Sequence, residues 1–256
     1  MIHEKGNISV QTENIFPIIK KWLYSEKDIF IRELVSNSAD AISKMKKLVS
    51  IGEATVDENN RYRIDVVTDK DKKIIKVIDN GIGMTADEVK KYINQIAFSG
   101  ALDFIEKYRD RTDDSQIIGH FGLGFYSAFM VADKVQIDTL SYQPGAEAVR
   151  WISKGGMDYE MESSDRTERG TTVTLYLSDD SAEYADEHTM REILLKYFSF
   201  LPIELYLNAT GAKAGKDGSE EKPAPLNDTE PLWLKKPGDC TEQEYKDFYK
   251  KVFNDF

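Results

Sequence analysis

Residues 29–49 read IFIRELVSNSADAISKMKKLV, and the fold turns on how that stretch is placed. At ~100° per residue, Glu33, Asn37, Asp40 and Lys44 fall within an arc of about 60°, one stripe along a single helix. Phe30, Ile31, Leu34, Val35, Ala41, Ile42, Met45, Leu48 and Val49 fill the opposite and flanking sides, the pattern of an amphipathic helix lying on a sheet. A stripe so close to a core has two readings. It is a solvated face, the common fate of polar helix positions. Or its carboxylates and carboxamide orient a water and complete the coordination of a hard cation, which takes oxygen ligands.

Composition narrows the choice. A chain of 256 residues can bury one full core and leave a tail, and 41% hydrophobic with 31% charged residues reads as soluble and globular. The net charge of -11 sets up a field that repels nucleic acid and anionic membrane alike, so neither is an expected partner. A nucleotide would need local help from a metal ion and backbone amides. Cys240 is the only cysteine, which excludes an internal disulfide and a cysteine-based zinc site and fits a reducing, cytoplasmic setting. His3, His120 and His188 are too scattered to suggest a ligand set. The opening MIHEKGNISVQTEN carries charges where a signal peptide needs an apolar run, and no stretch approaches the ~20 apolar residues of a membrane span.

Outward from the central helix, Ile15, Ile18, Ile19, Trp22 and Leu23 share one side of a preceding helical pattern. Residues 63–68 and 73–78 are β-rich runs joined by a short polar turn, an antiparallel hairpin. Thr85-Ala86-Asp87-Glu88 is a capping box opening a helix over about 86–96. Residues 97–111 form an amphipathic segment between glycine-bearing and strongly polar neighbours, a candidate hinge. Strands are predicted at 134–142, 147–153, 157–162 and 171–177, then a helix near 187–199 and a strand at 203–207. Residues 209–230 lack apolar periodicity and read as a charged flexible linker. From 231 to 256 an aromatic-rich helix has too little chain to bury it, as expected of the start of a second domain.

Three loops carry the chemistry. Asp79-Asn80-Gly81-Ile82-Gly83-Met84 puts a carboxylate at a strand end with two glycines after it. Such a carboxylate can accept from the exocyclic amine of adenine, while Gly83 admits the base to the backbone and Met84 offers a polarisable apolar face. Gly119-His120-Phe121-Gly122-Leu123-Gly124-Phe125 runs into an apolar helical pattern, so successive amides can wrap a phosphate. Gly170-Thr171-Thr172 opens a strand, where Thr171 either reaches a base through water or serves only as a β-former. There is no P-loop signature and no Rossmann fingerprint, so the pattern is a nucleotide pocket of another kind.

With ELVSNSADA (33–41), IDNGIGM (78–84), GHFGLGFYSAFMVADKV (119–135) and RGTTVTLYL (169–177), the chain resembles the N-terminal ATPase domain of the 90-kDa heat-shock chaperones in their bacterial, high-temperature protein G form. The resemblance covers residues 1–208, and the tail looks like the start of that family's middle domain. It implies an α+β two-layer sandwich, helices on one face of a mixed, largely antiparallel sheet, with a lid at about 94–125. It also implies that Glu33 is the general base and that Asn37 completes Mg2+ coordination with the ATP phosphates. Asp79 would bind the adenine amine, with Gly83, Met84 and Thr171 around the base and Asp40 and Lys44 in support. Gly119, His120, Phe121, Gly122, Gly124 and Phe125 would give amides to the phosphates of ATP or ADP. Slow ATP hydrolysis would drive lid and domain closure on client proteins, with co-chaperones as further partners. The full-length family member is a homodimer through a C-terminal domain, and this stretch would be a monomer. In the family a middle-domain arginine also reaches the γ-phosphate, so low turnover is expected here.

Two positions depart from the family pattern: Tyr92 stands where Asn is usual and Phe98 where a phosphate-facing Lys is common, and neither contact is carried over. Asn94 and Gln95 are nearby carboxamides, though helical spacing turns both away from position 92. His120 stands where Gln is common, and either adds a pH-sensitive donor or contributes only its backbone. The looser part of the pattern is shared with DNA topoisomerase and mismatch-repair ATPases and with histidine kinases, which the acidic balance and the lack of an upstream phosphoacceptor helix disfavour. A nucleotide sensor without hydrolysis is the remaining alternative.

Overall fold

The opening stretch forms one helix, α1 (Ile29–Ser50), whose apolar side is buried from Phe30 to Leu48. It ends as expected before Gly52, which takes the left-handed backbone at φ 77° while its amide donates to the Val49 carbonyl at 3.1 Å. The computed structural model describes residues 26–57, 60–95, 104–105, 122–155, 158–209 and 224–253. The helical pattern before residue 26, the segment 97–111 except for residues 104–105, and the first half of the glycine loop lie outside these.

Period-two burial drives the sheet. In β1 (Arg63–Asp69) and β2 (Ile74–Asp79), Ile64, Val66, Ile75 and Val77 point to the core while Lys76 points away. Their antiparallel register pairs Ile64 with Asp79 and Asp69 with Ile74. β3 (Ala132–Leu140), β4 (Val149–Lys154), β5 (Asp158–Ser163) and β6 (Gly170–Leu177) follow, and β7 (Glu204–Ala209) is the last strand. The order is β5-β4-β3-β6-β2-β1-β7, antiparallel throughout except for the parallel β1–β7 pair. This is the mixed, largely antiparallel sheet that was expected. α1 and α3 (Glu187–Phe198) cover one face, where Phe30, Ile31, Leu34, Met190, Leu194 and Phe198 join Val135, Ile137, Leu175 and Leu205 in one core. Most of the stabilisation comes from that shared apolar surface.

Two elements differ from the sequence reading. α2 (Ala86–Tyr92) starts with the expected capping box but stops four residues short of Ile96. The Tyr126 hydroxyl donates to the Ile93 carbonyl at 2.5 Å and the Trp151 indole to Asn94 Oδ1 at 2.9 Å, so partners outside the helix draw the chain off its axis. The apolar run after the glycine loop is a 3-10 helix, Gly124–Met130, rather than an α-helix. Its Ser127 hydroxyl bonds the Gly124 carbonyl at 2.6 Å, and the chain enters β3 directly afterwards, which leaves no length for a wider helix.

The end of the expected linker is part of the fold. Leu226 donates to the Leu205 carbonyl at 2.7 Å along β7. The buried Asn227 side chain accepts from the Leu205 amide at 2.8 Å and donates to the carbonyls of Leu201 and Ile203 at 2.7 and 2.9 Å. A low-periodicity sequence hides such an anchor because one carboxamide, rather than an apolar stripe, does the docking. Beyond it comes α4 (Glu242–Phe253), with Trp233, Leu234, Tyr245 and Tyr249 exposed, while Trp233 packs edge-on and Phe248 tilted against Phe200.

Candidate functional site

Asp79 ends β2 and is 4% exposed, although it is a carboxylate. Its Oδ1 accepts from the Gly81 amide at 2.8 Å. Burial pushes the carboxyl up from 3.8 to about 6, against the Gly81 amide, the Arg166 charge, the Thr171 amide and the Ser38 hydroxyl, all of which favour the ionised form. A buried acid that stays close to ionisation at neutral pH is suited to accept from a ligand donor.

The sheet register assembles the surroundings. Asp79 stands opposite Thr171 on β6, and Thr171 opposite Thr139 on β3. The two threonine hydroxyls are 3.0 Å apart, and Thr139 Oγ1 also accepts from the Met84 amide at 2.9 Å. Asp79, Met84 and Thr171 are thus tied together, with Thr139 as the link that sequence reading missed. Gly83 sits at φ 64°, and a Cβ there would lie 1.9 Å from the Leu140 carbonyl oxygen. Only glycine permits that approach. Gly81 rests on α1 in the same way: its Cβ would fall 2.6 Å from the Ala41 carbonyl carbon, and the Ile82 amide donates to the Ala41 oxygen at 3.0 Å.

Two arginines fix this loop from behind. Arg166 donates to the Asp79 carbonyl at 3.0 Å and to the Thr172 hydroxyl at 2.6 Å. Arg169 donates to the Asn80 and Gly81 carbonyls, the latter at 2.6 Å, and to Asn60 Oδ1 at 3.1 Å. Neither residue was predicted from the sequence, although Arg169 stands beside Gly170-Thr171. Gly170 at φ 116° lets β6 close on this corner, since a Cβ would meet the Asp79 oxygen at 2.1 Å.

Glu33 lies on the same helix as Ser38 and Ala41, within about 12 Å along the axis at 1.5 Å per residue. Positions 33, 37 and 41 step round the helix by about 40° each, so Glu33 and Asn37 lead toward the turn against which Gly81 packs. The Glu33 carboxylate accepts from the Arg32 guanidinium at 2.7 and 3.3 Å. A Cβ on Gly124 would sit 2.3 Å from Glu33 Oε2, so the end of the glycine loop closes on this acid. The stripe itself is not uniform: Asn37 is exposed whereas Asp40 is buried. The helical angle alone gave them equal exposure; packing of residues 81–82 and of the 3-10 turn on α1 separates them. Lys44 Nζ stands 5.9 Å from the ring of Phe104, within the span expected of a lid.

Of the glycine loop, Gly122, Gly124 and Phe125 are described, with Gly122 at φ 64°. Phe125 turns its ring into the core against Phe129 and Trp151, which leaves only its backbone for a ligand. Gly119, His120 and Phe121 lie outside the described residues, as do Phe98 and most of the 94–125 lid. Asn94 is engaged by Trp151 rather than turned toward position 92.

This strand-end acid, its glycines and the second acid on α1 lie within residues 24–176, which match the family model described as histidine kinase-, DNA gyrase B- and HSP90-like ATPase. The chain belongs to that family. Residues 210–256 match a second model, Hsp90 protein. The particular likeness is to chaperone protein HtpG: 50% identity to that of Bacteroides thetaiotaomicron over 98% of this chain and 36% of the relative. The Porphyromonas gingivalis protein of the same name is 43% identical over 98% of the chain and 36% of its own length, and that of Shewanella amazonensis 38% over 99% and 41%. The chain therefore spans little more than a third of the length of these curated relatives. No helix among the described residues is long and apolar enough to cross a membrane.

Proposed function

We propose that this chain is the nucleotide-binding module of a cytosolic, ATP-dependent chaperone, binding ATP and ADP with Mg2+ and hydrolysing ATP slowly. The observation that carries the reading is Asp79: a buried carboxylate, held by protein donors and flanked by glycines whose missing Cβ atoms let the Ala41 and Leu140 backbones close on the turn. Its ionised oxygen accepts from the adenine amine, with Gly83, Met84 and Thr171 around the base. Asp40 and Lys44 support the helix side, and the amides from Gly119 to Phe125 receive the phosphates.

Glu33 holds the attacking water and takes its proton. For this it must exchange its contact with Arg32 for one with water, so the ion pair holds the acid in place before nucleotide arrives. No group of three or more acidic, histidine or cysteine side chains among the described residues could hold a metal alone. The exposed carboxamide of Asn37 fits an ion that comes with the nucleotide and takes its other ligands from phosphate and water. Such an ion supplies charge neutralisation at the phosphate oxygens.

Client proteins, co-chaperones and dimerisation belong to this reading through the HtpG relatives, and turnover of residues 1–256 alone is expected to be low. Glu33→Ala tests the catalytic half. ATP affinity is expected to persist while hydrolysis drops by about 10²- to 10⁴-fold; unchanged hydrolysis would remove Glu33 from the mechanism.

A further inference from the structure

The opposite face of the sheet carries a feature that the nucleotide reading does not use. Among the described residues no helix covers it, and a groove of about 380 Å³ lies across β2, β6, β3 and β4. That volume is within the range of small-molecule sites. In one row of the register Lys76 stands opposite Thr174 and Thr174 opposite Gln136; in the next, Thr172 faces Asp138 and Asp138 faces Arg150. At the edge of the groove, outside its lining, Lys134 pairs with Tyr176, and its Nζ lies 3.4 Å from the ring centre. With strands ~4.8 Å apart, the Lys76 and Lys134 backbones are about 12 Å apart, close enough for both side chains to reach one ligand.

The charge here runs against the rest of the molecule. Asp138 is saturated: Oδ1 accepts from Arg150 and Ser164, and Oδ2 from Gln136, each at 2.7 Å. Burial opposes its ionisation, and those three donors outweigh the burial, so the carboxyl stays below its usual range. Glu162 is taken up by Arg150 at 3.5 Å. Arg166 is a further cation on the groove wall, with the charges of Asp79, Glu168 and Asp138 acting on it. Lys72 and Lys73 in the same hairpin pair with Asp69 and Asp179, whereas Lys76 and Lys134 make no ion pair among the described residues. Three lining cations, Lys76, Arg150 and Arg166, stand against one lining carboxylate, Asp138, with Lys134, Glu162 and Glu168 around them, in a chain of net charge -11.

We propose that this groove binds a small oxyanion carrying two or more negative charges, a polyphosphate or a polycarboxylate, held between Lys76 and Lys134 over Thr174 and Tyr176. Lysine ammoniums supply the charge, the Thr174 hydroxyl can donate to its oxygens, and the Tyr176 hydroxyl can do so by giving up its 3.3 Å bond to Gln136 Oε1. The proposal does not rest on the nucleotide reading.

The test is an amide-resolved NMR titration of the chain with pyrophosphate and with citrate at constant ionic strength, with and without ADP. Saturable shifts are expected at Lys76, Gln136, Thr174 and Tyr176, persisting when ADP is present. Pyrophosphate alone producing them assigns a phosphate ligand; citrate producing them equally assigns a polycarboxylate as well. Lys76→Glu should weaken binding at least about tenfold, and the milder Lys134→Gln should weaken it in the same direction. Both side chains lie on the sheet face away from Asp79, so ADP affinity should stay at that of the parent chain. Shifts that follow chloride at equal ionic strength, binding untouched by both variants, or a pyrophosphate signal abolished by ADP would each overturn the proposal.

Discussion

Asp79 shows how one residue trades stability for recognition. Its pKa in the folded chain, about 6, lies above the ordinary value of 3.8, so the folded state holds the extra proton between those two pH values. Stability therefore falls as pH rises across that window and is not recovered above it. Asp79→Asn removes this dependence. In denaturant titrations its stability relative to the parent should rise by up to about 3 kcal/mol between pH 4 and 7, a little over two pKa units at 1.36 kcal/mol each. A flat difference would mean that burial does not govern this acid. Gly124 gives a sharper test of geometry, because its Cβ would strike Glu33 Oε2. Gly124→Ala should displace the carboxylate and slow hydrolysis at least about tenfold, some 1.4 kcal/mol of barrier, while ADP affinity changes far less. Single-turnover hydrolysis beside equilibrium ADP binding separates the two.

At the scale of elements, the sequence disclosed what is local. The capping box at Thr85 and Glu88 was legible because both partners lie within one turn, and the hairpin because two β-rich runs flank a short polar turn. Arg166 and Arg169 were not legible: their bonds to the 79–81 backbone span some 87 to 89 positions, and nothing in the local pattern announces them. The unequal fates of Asn37 and Asp40 were hidden for the same reason, since a helical wheel does not show which neighbours will pack on it. The 94–125 lid and the first half of the glycine loop rest on family resemblance alone. Arg166→Met follows from the observed clamp. It removes the donor to the Asp79 carbonyl and a charge that favours the ionised acid, so it should destabilise the chain by about 1.5–3 kcal/mol, as for hydrogen bonds from charged groups, and weaken ADP binding. Thermal unfolding and calorimetry on one sample would read both.

For the whole molecule, the question is where the ATP-binding unit stops. Asn227 joins the segment after residue 223 to β7 through three buried hydrogen bonds, so the compact unit runs past the strand that closes the sheet. Asn227→Ala would leave one amide and two carbonyls with fewer partners and should cost about 2–4 kcal/mol in equilibrium unfolding. A change below about 0.5 kcal/mol, the level of ordinary surface substitutions, would return the segment to the status of a linker. The exposed Trp233, Leu234, Tyr245 and Tyr249 beyond it are the apolar surface expected where a further domain packs. The account as a whole depends on an adenine meeting Asp79, and calorimetric titration of the chain with ADP and Mg2+, repeated on Asp79→Asn at pH 7.5, measures that directly. Saturable one-to-one binding by the parent and none by the folded variant is the predicted result; equal affinity in the two would contradict it.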